Sequence, residues 1–187
     1  MTDQEVGNWL AEKAVAALGP TPDMGDMEKA LDRACLEARR LALELLVQQR
    51  ARTVSFVCPT CQTHLNVRDY RRARTVESSF GQIAFIRAYG FCGQCLEPIY
   101  PADAALGLHE RARSSPKIQE LCALTTLRAP AGQMEEDVYR LTGIALKAST
   151  IHREARRQGE RALRMRDADE KLTQSAQGIA ELAARAP

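Results

Sequence analysis

Cys58 and Cys61 in FVCPTCQTHL are separated by thirty residues from a second pair, Cys92 and Cys95 in FCGQC. A thiolate pair at this spacing turns both sulfurs toward one point. Two such turns brought together complete the tetrahedral shell that zinc prefers, with Zn–S bonds of about 2.3 Å. Four closed sulfur ligands leave no position for water, so a zinc ion held this way is structural and does no chemistry of its own.

Other uses of these thiols stay open. CPTC has the form of an oxidoreductase dithiol, but that chemistry wants one reactive pair at a helix start in a βαβ context, and here two pairs are expected on strands. A degenerate site that has lost its metal is the third reading. His64, three residues after Cys61, could replace a cysteine ligand, whereas His109 and His152 have no partners at ligand spacing. Cys35 and Cys122 fall on apolar helix faces, where cysteine serves as a small hydrophobe.

The elements that must position the four cysteines are legible around them. β-branched and aromatic residues alternate with polar ones in RTVSFVC, RTVESSF and QIAFIRAYGFC, with Gly81 placed for a reversal. The pattern predicts an antiparallel hairpin from about Arg74 to Phe91. Before it, a short helical stretch from about Thr2 to Leu18 is stopped by GPTP. A longer helix follows from Asp26, a plausible N-cap, through Leu31, Ala38, Leu41, Leu45 and Leu46. Its apolar stripe suits docking on its own domain or, alternatively, on a second copy to form a homodimer through Leu31 to Leu46.

Composition bounds the partners. The 187 residues carry a net charge of only +2, so attraction to nucleic acid must come from local placement of charge. No apolar run approaches the roughly 20 residues that cross a bilayer. The opening MTDQEVGNWL lacks the basic end and apolar stretch of a secretory signal. The expectation is a cytoplasmic protein without membrane partners, where reduced thiols point to metal or redox use.

Basic residues cluster twice. Arg68, Arg71, Arg72 and Arg74 surround Tyr70 with only Asp69 to offset them, a set that could dock phosphates and stack a base, or form a solvated loop. After Ile118 the texture is helical, with segments near 118–128, 134–141 and 148–164. Met134, Val138 and Leu141 would face inward on a short helix, Gly143 would turn the chain, and Ser149 or a neighbour would start a second helix with Ile151 and Ala155 inward. That is helix-turn-helix grammar. It places Lys147, Ser149, Thr150 and His152 near base edges, with Arg153, Arg156 and Arg157 on phosphates. A three-helix interaction domain with a basic outer face is the plainer alternative.

The order of these motifs resembles the N-terminal region of bacterial insertion-sequence transposases of the ISKra type. The likeness covers about Val57 to Glu160 through CPTC, RTVESSFGQIAFIRAYGFCGQC, PIYPADAALGLHERARSSP and LTGIALKASTIHREARRQGE. Pro101, Asp103, Leu106, Gly107 and Leu108 match the family's central Pro-x-Asp-x-x-Leu-Gly-Leu element. The resemblance implies that this half recognises transposon-end DNA, while a following RNase H-like domain supplies three Mg²⁺-binding carboxylates. This chain stops soon after the helix-turn-helix region and leaves no room for that domain, so no catalysis is expected.

The expected architecture is mainly α with a small antiparallel β zinc-ribbon. Helices occupy 1–50, the ribbon module 51–101, a linker 102–116, a helix-turn-helix-like domain 117–166 and a helical or disordered tail 167–187. The expected function is sequence-specific double-stranded DNA binding by a truncated or derived transposase-like protein. The alternative is a protein-interaction adaptor built on the zinc module and the Leu31 to Leu46 helix.

Overall fold

The computed structural model describes residues 2–109, 112–130, 132–175, 177, 180, 183 and 184, and the chain divides into two compact units, 1–116 and 117–187. In order, the described elements are α1 (Asp3–Val15), α2 (Met24–Thr53), β1 (Asn66–Ser78), β2 (Gly81–Cys92), β3 (Glu97–Ile99), α3 (Pro101–Ala105), α4 (Pro116–Arg128), α5 (Met134–Thr142) and α6 (Ala148–Leu172). The architecture is mixed: six helices and a three-stranded antiparallel sheet of order β1-β2-β3. α6 runs past the expected boundary at 166, and much of the expected tail beyond residue 175 lies outside the described residues.

In the first unit, α1 opens on a capping box in which the Thr2 hydroxyl accepts from the Glu5 N–H and the Glu5 carboxylate accepts from the Thr2 N–H. α2 is capped by Asp23 rather than Asp26. The Asp23 carboxylate accepts the Asp26 N–H at 2.8 Å, and Asp26 sits in the first turn, where an acidic side chain suits the dipole. The hairpin begins earlier than the expected Arg74, at Asn66, and reverses between Ser78 and Gly81, where Gly81 takes a φ of 107°. Its inward residues Val76, Ile83 and Phe85 pack with Ala51 of α2 and with Ala102 and Leu108.

α2 also protects the sheet. β3 pairs only with Gly90–Cys92, which leaves the rest of that β2 edge without a strand partner among the described residues. Arg40 donates to the Gln82 carbonyl at 3.4 Å, Glu44 accepts the Ala84 N–H at 3.0 Å, and Gln48 both accepts the Ile86 N–H at 2.8 Å and donates to its carbonyl at 3.0 Å. Four helical residues rise about 6.0 Å and two strand residues about 6.7 Å, so side chains at i, i+4 and i+8 meet alternate strand residues nearly in step. An edge open to pairing with other chains is thereby occupied.

The described residues of the stretch 102–116, expected as a linker, belong to the packed unit. α3 buries Ala102 and Asp103, Gly107 turns the chain with φ 65°, and Leu108 joins the core. Asp103 forms ion pairs with both Arg74 and Arg87. Arg74 donates further to the carbonyls of His109 at 2.8 Å and Ala112 at 2.6 Å. The Arg87 guanidinium lies 3.7 Å from the centroid of the Tyr100 ring. Burial pushes the Arg74 pKa below its usual value. A guanidinium still stays charged at neutral pH, and its charge is met by the carboxylate.

In the second unit α4, α5 and α6 enclose Ile118, Cys122, Met134, Val138, Ile144, Leu146 and Ile151. Met134 and Val138 face inward as expected, but Leu141 is 69% exposed, and the turn residues Ile144 and Leu146 complete the core. Gly143 ends α5 in the left-handed region, φ 71°, with its N–H on the Tyr139 carbonyl. No side chain of Lys147, the N-cap of α6, caps that helix; the Glu135 carboxylate accepts the Ala148 N–H at 2.7 Å instead.

Cys122 is fully buried in this core, and burial together with the nearby Glu154 carboxylate pushes its thiol up to about 11. A thiol with a raised folded pKa contributes stability that is complete below the unfolded value, about 8.5, and lost as pH rises through about 11. Cys122→Ala is therefore expected to flatten the alkaline fall in thermal stability between those limits. Melting curves of both proteins across that window measure the difference.

Candidate metal centre

The four cysteines sit on two turns of matching construction. The first lies between α2 and β1, where a bridge pairs Val57 with His64 and the Leu65 N–H bonds to the Phe56 carbonyl. The second follows the end of β2, with β3 folding back antiparallel onto Gly90–Cys92. In each turn the residue after the second cysteine takes a left-handed φ, 60° at Gln62 and 57° at Leu96, the only positive-φ non-glycine residues among those described. In each the same bond closes the loop: Gln62 N–H to the Cys58 carbonyl and Leu96 N–H to the Cys92 carbonyl, both 2.9 Å. Non-glycine residues tolerate this region at a cost of about 1–2 kcal/mol. Using it twice curls each thiol pair toward a common point.

The four sulfurs of Cys58, Cys61, Cys92 and Cys95 all lie within 4.8 Å of one another. They pair across the two turns, Cys58 with Cys95 at 3.8 Å and Cys61 with Cys92 at 3.4 Å, and all four cysteines are free thiols. A tetrahedron with bonds of about 2.3 Å has edges near 3.8 Å, so these separations fit four sulfurs around one cation. Cys58 and Cys92 are fully buried and pack with Leu65 and Ile99. The turns approach closely: a Cβ placed on Gly90 would lie 3.1 Å from the Leu65 Cβ. Neither pair begins a helix, the setting in which a reactive dithiol is usually activated.

Thr63 is a participant that the cysteine pattern does not announce. Its hydroxyl is 2.9 Å from the Cys61 sulfur and 3.5 Å from that of Cys92. Thr63 and the Cys95 N–H draw the Cys92 thiol down to about 6, and Thr63 also lowers Cys61. Hydrogen bonding to the Cys61 and Cys58 sulfurs, which favours the protonated donor, pushes Cys95 up to about 12, with burial adding to the shift. A divalent cation held by the four sulfurs would favour the thiolate form of each. His64 is exposed and outside the sulfur cluster.

The arginines after the first turn divide by environment. Arg74, expected to meet phosphates, is instead buried with Asp103, because its strand position points into the core beside Val76. Arg72 is paired with Asp69 at 2.9 Å and lies over the Tyr89 ring. Arg68 and Arg71 are exposed, and both occupy irregularities of β1.

Lys147, the N-cap of α6, and Ser149, His152, Arg153, Arg156 and Arg157 on that helix are exposed, and Thr150 is half-buried. Arg153 and Arg157 are partly engaged, since both reach Oε1 of the fully buried Glu154, at 3.5 and 3.1 Å. The alternating acidic and basic letters gave no sign that one of these carboxylates is interior. The chain matches no protein-family model and no curated protein.

Proposed function

We propose that the protein binds double-stranded DNA through the second unit, with one zinc ion holding the four-cysteine module of the first unit in shape. The observation that carries this reading is the composition of the exposed α6 surface. Between residues 147 and 166 there are seven basic residues against Glu154 and Glu160, and Glu154 is buried. Ser149, His152, Arg153 and Arg156 recur at helical spacing, so short donors and cations share a face able to enter a major groove. α5, the left-handed turn at Gly143 and α6 are read as a helix-turn-helix supported by α4. The order of motifs favours the DNA-recognition portion of an insertion-sequence transposase, or a non-catalytic regulator derived from one.

A duplex titration against salt tests this directly, because each phosphate contact contributes a slope near −0.9 in log K against log[salt]. Lys147→Ala with Arg156→Ala is expected to reduce the slope by about two contacts while leaving the fold intact. No duplex binding at low salt sinks the reading. Arg153→Ala with Arg157→Ala is a poorer probe, since it strands the buried Glu154 carboxylate. That pair is expected to destabilise the second unit by about 1–3 kcal/mol, with Glu154→Gln restoring part of the loss in the same melting assay.

The alternative, a protein-interaction adaptor, draws on α2. Leu45 and Leu46 are 72% and 63% exposed there, and Leu31 and Leu41 lie outward as well. Such a stripe would also serve a homodimer, and sedimentation over a range of concentrations reads self-association.

A further inference from the structure

The first unit contains a cleft of about 330 Å³ between the end of α2 and the sheet, lined by Gln48, Arg52, Phe56, Tyr70, Arg71 and Ile86 among others. Small-ligand pockets begin at about this size. A strand irregularity creates the cleft wall: Asp69 pairs with Tyr89 and Arg72 with Arg87, so Tyr70 and Arg71 together stand opposite Ala88 alone. The extra residue re-aims the side chains, as bulges do, and the small Ala88 side chain leaves space beneath them. The Asp69 carboxylate accepts the Arg71 N–H at 2.8 Å and pins the irregularity.

The chemistry of the lining is one-sided. No acidic residue lines the cleft. Arg72 and Arg74 are held by carboxylates, whereas among the described residues no salt bridge engages Arg52 or Arg71. Tyr70 is 65% exposed, and Phe56 meets it at 90° with centroids 5.9 Å apart. Gln48 is already committed to the Ile86 backbone and acts as a wall. Two uncommitted guanidiniums beside a presented aromatic ring match a phosphate joined to a flat base. A base inside a duplex has no free face to offer, so the ligand must be unpaired.

We propose that this cleft binds single-stranded nucleic acid one nucleotide at a time, with Tyr70 stacked on an unpaired base and Arg52 and Arg71 on the adjoining phosphate. The site depends on the nucleic-acid reading for its ligand class but uses none of the α6 surface. With no side-chain acceptor free to read base edges, binding is tolerant of sequence.

The test is fluorescence anisotropy of the full-length protein with a labelled eight-residue oligothymidylate and, separately, a 20-base-pair duplex. Tyr70→Ala is expected to weaken the oligonucleotide about tenfold, Tyr70→Phe to preserve it, and Arg71→Ala to reduce the salt slope by about 0.7, all without effect on the duplex. Unchanged oligonucleotide binding in Tyr70→Ala, or equal competition by tripolyphosphate, overturns the stacking site. Duplex binding without oligonucleotide binding overturns the cleft alone. Oligonucleotide binding that shows these losses, in a protein that ignores duplex, sustains the cleft and overturns the α6 reading. No binding of either overturns both.

Discussion

Cys92→Ser is expected to abolish metal binding and to unfold the two cysteine turns while the rest of the first unit stays folded. Cys92 is fully buried, its sulfur lies 3.4 Å from that of Cys61, and among the described residues the cluster around it consists of buried Cys58 and Leu65 with Cys61, Cys95 and Ile99 partly buried against them. So small a cluster cannot offset the cost of ordering two turns, and structural zinc contributes roughly 10–16 kcal/mol in comparable small modules. Hydrogen exchange should show protection lost at 56–65 and 92–99 but retained around Val76, Ile83 and Phe85, which belong to a separate cluster. Cys35→Ser, outside the sulfur cluster, is the matched control and should keep its metal. Falling pH acts in the same direction as Cys92→Ser, since protons compete with the cation for each thiolate.

Asp103→Ala is expected to lower the stability of the first unit by about 3–5 kcal/mol, because it leaves two buried guanidiniums without their shared carboxylate. The single tryptophan, Trp9, lies on α1 in that unit, so its fluorescence in denaturant follows this unit and not the second. Asp103→Asn should recover little, since an amide restores hydrogen bonding without the charge. Arg74→Ala should cost a comparable amount, because Arg74 also satisfies the carbonyls of His109 and Ala112. Arg68→Ala, on the exposed side of the same strand, should be within about 0.5 kcal/mol of the parent.

The contrast between Arg68 and Arg74 shows where sequence reading reaches its limit. The cysteine spacing announces the sulfur cluster because the chemistry of four thiols is local to two short turns. The hairpin and the helices after residue 116 follow from alternation and from 3.6-residue periodicity, which are local as well. Arg74 reads as a surface cation because its partner, Asp103, is 29 residues distant and stands in a stretch resembling a linker. Pro101, Asp103, Gly107 and Leu108 form one packed corner: proline starts α3, aspartate holds two arginines, glycine turns the chain and leucine enters the core. Glu154 goes unmarked for the same reason, a polar letter in a charged helix that three-dimensional packing carries inside. Arg40, Glu44 and Gln48 look like an ordinary solvated face, and only the neighbouring β2 edge gives them work.

Whether four thiols converge on one cation is the point on which the two cysteine turns depend. Native mass spectrometry of the intact chain, purified with zinc and without chelator, measures it in a single spectrum. One zinc per chain, displaced together with the release of four alkylatable thiols at positions 58, 61, 92 and 95, is the expected result. A folded chain without metal, or one in which those cysteines are joined as disulfides, contradicts it.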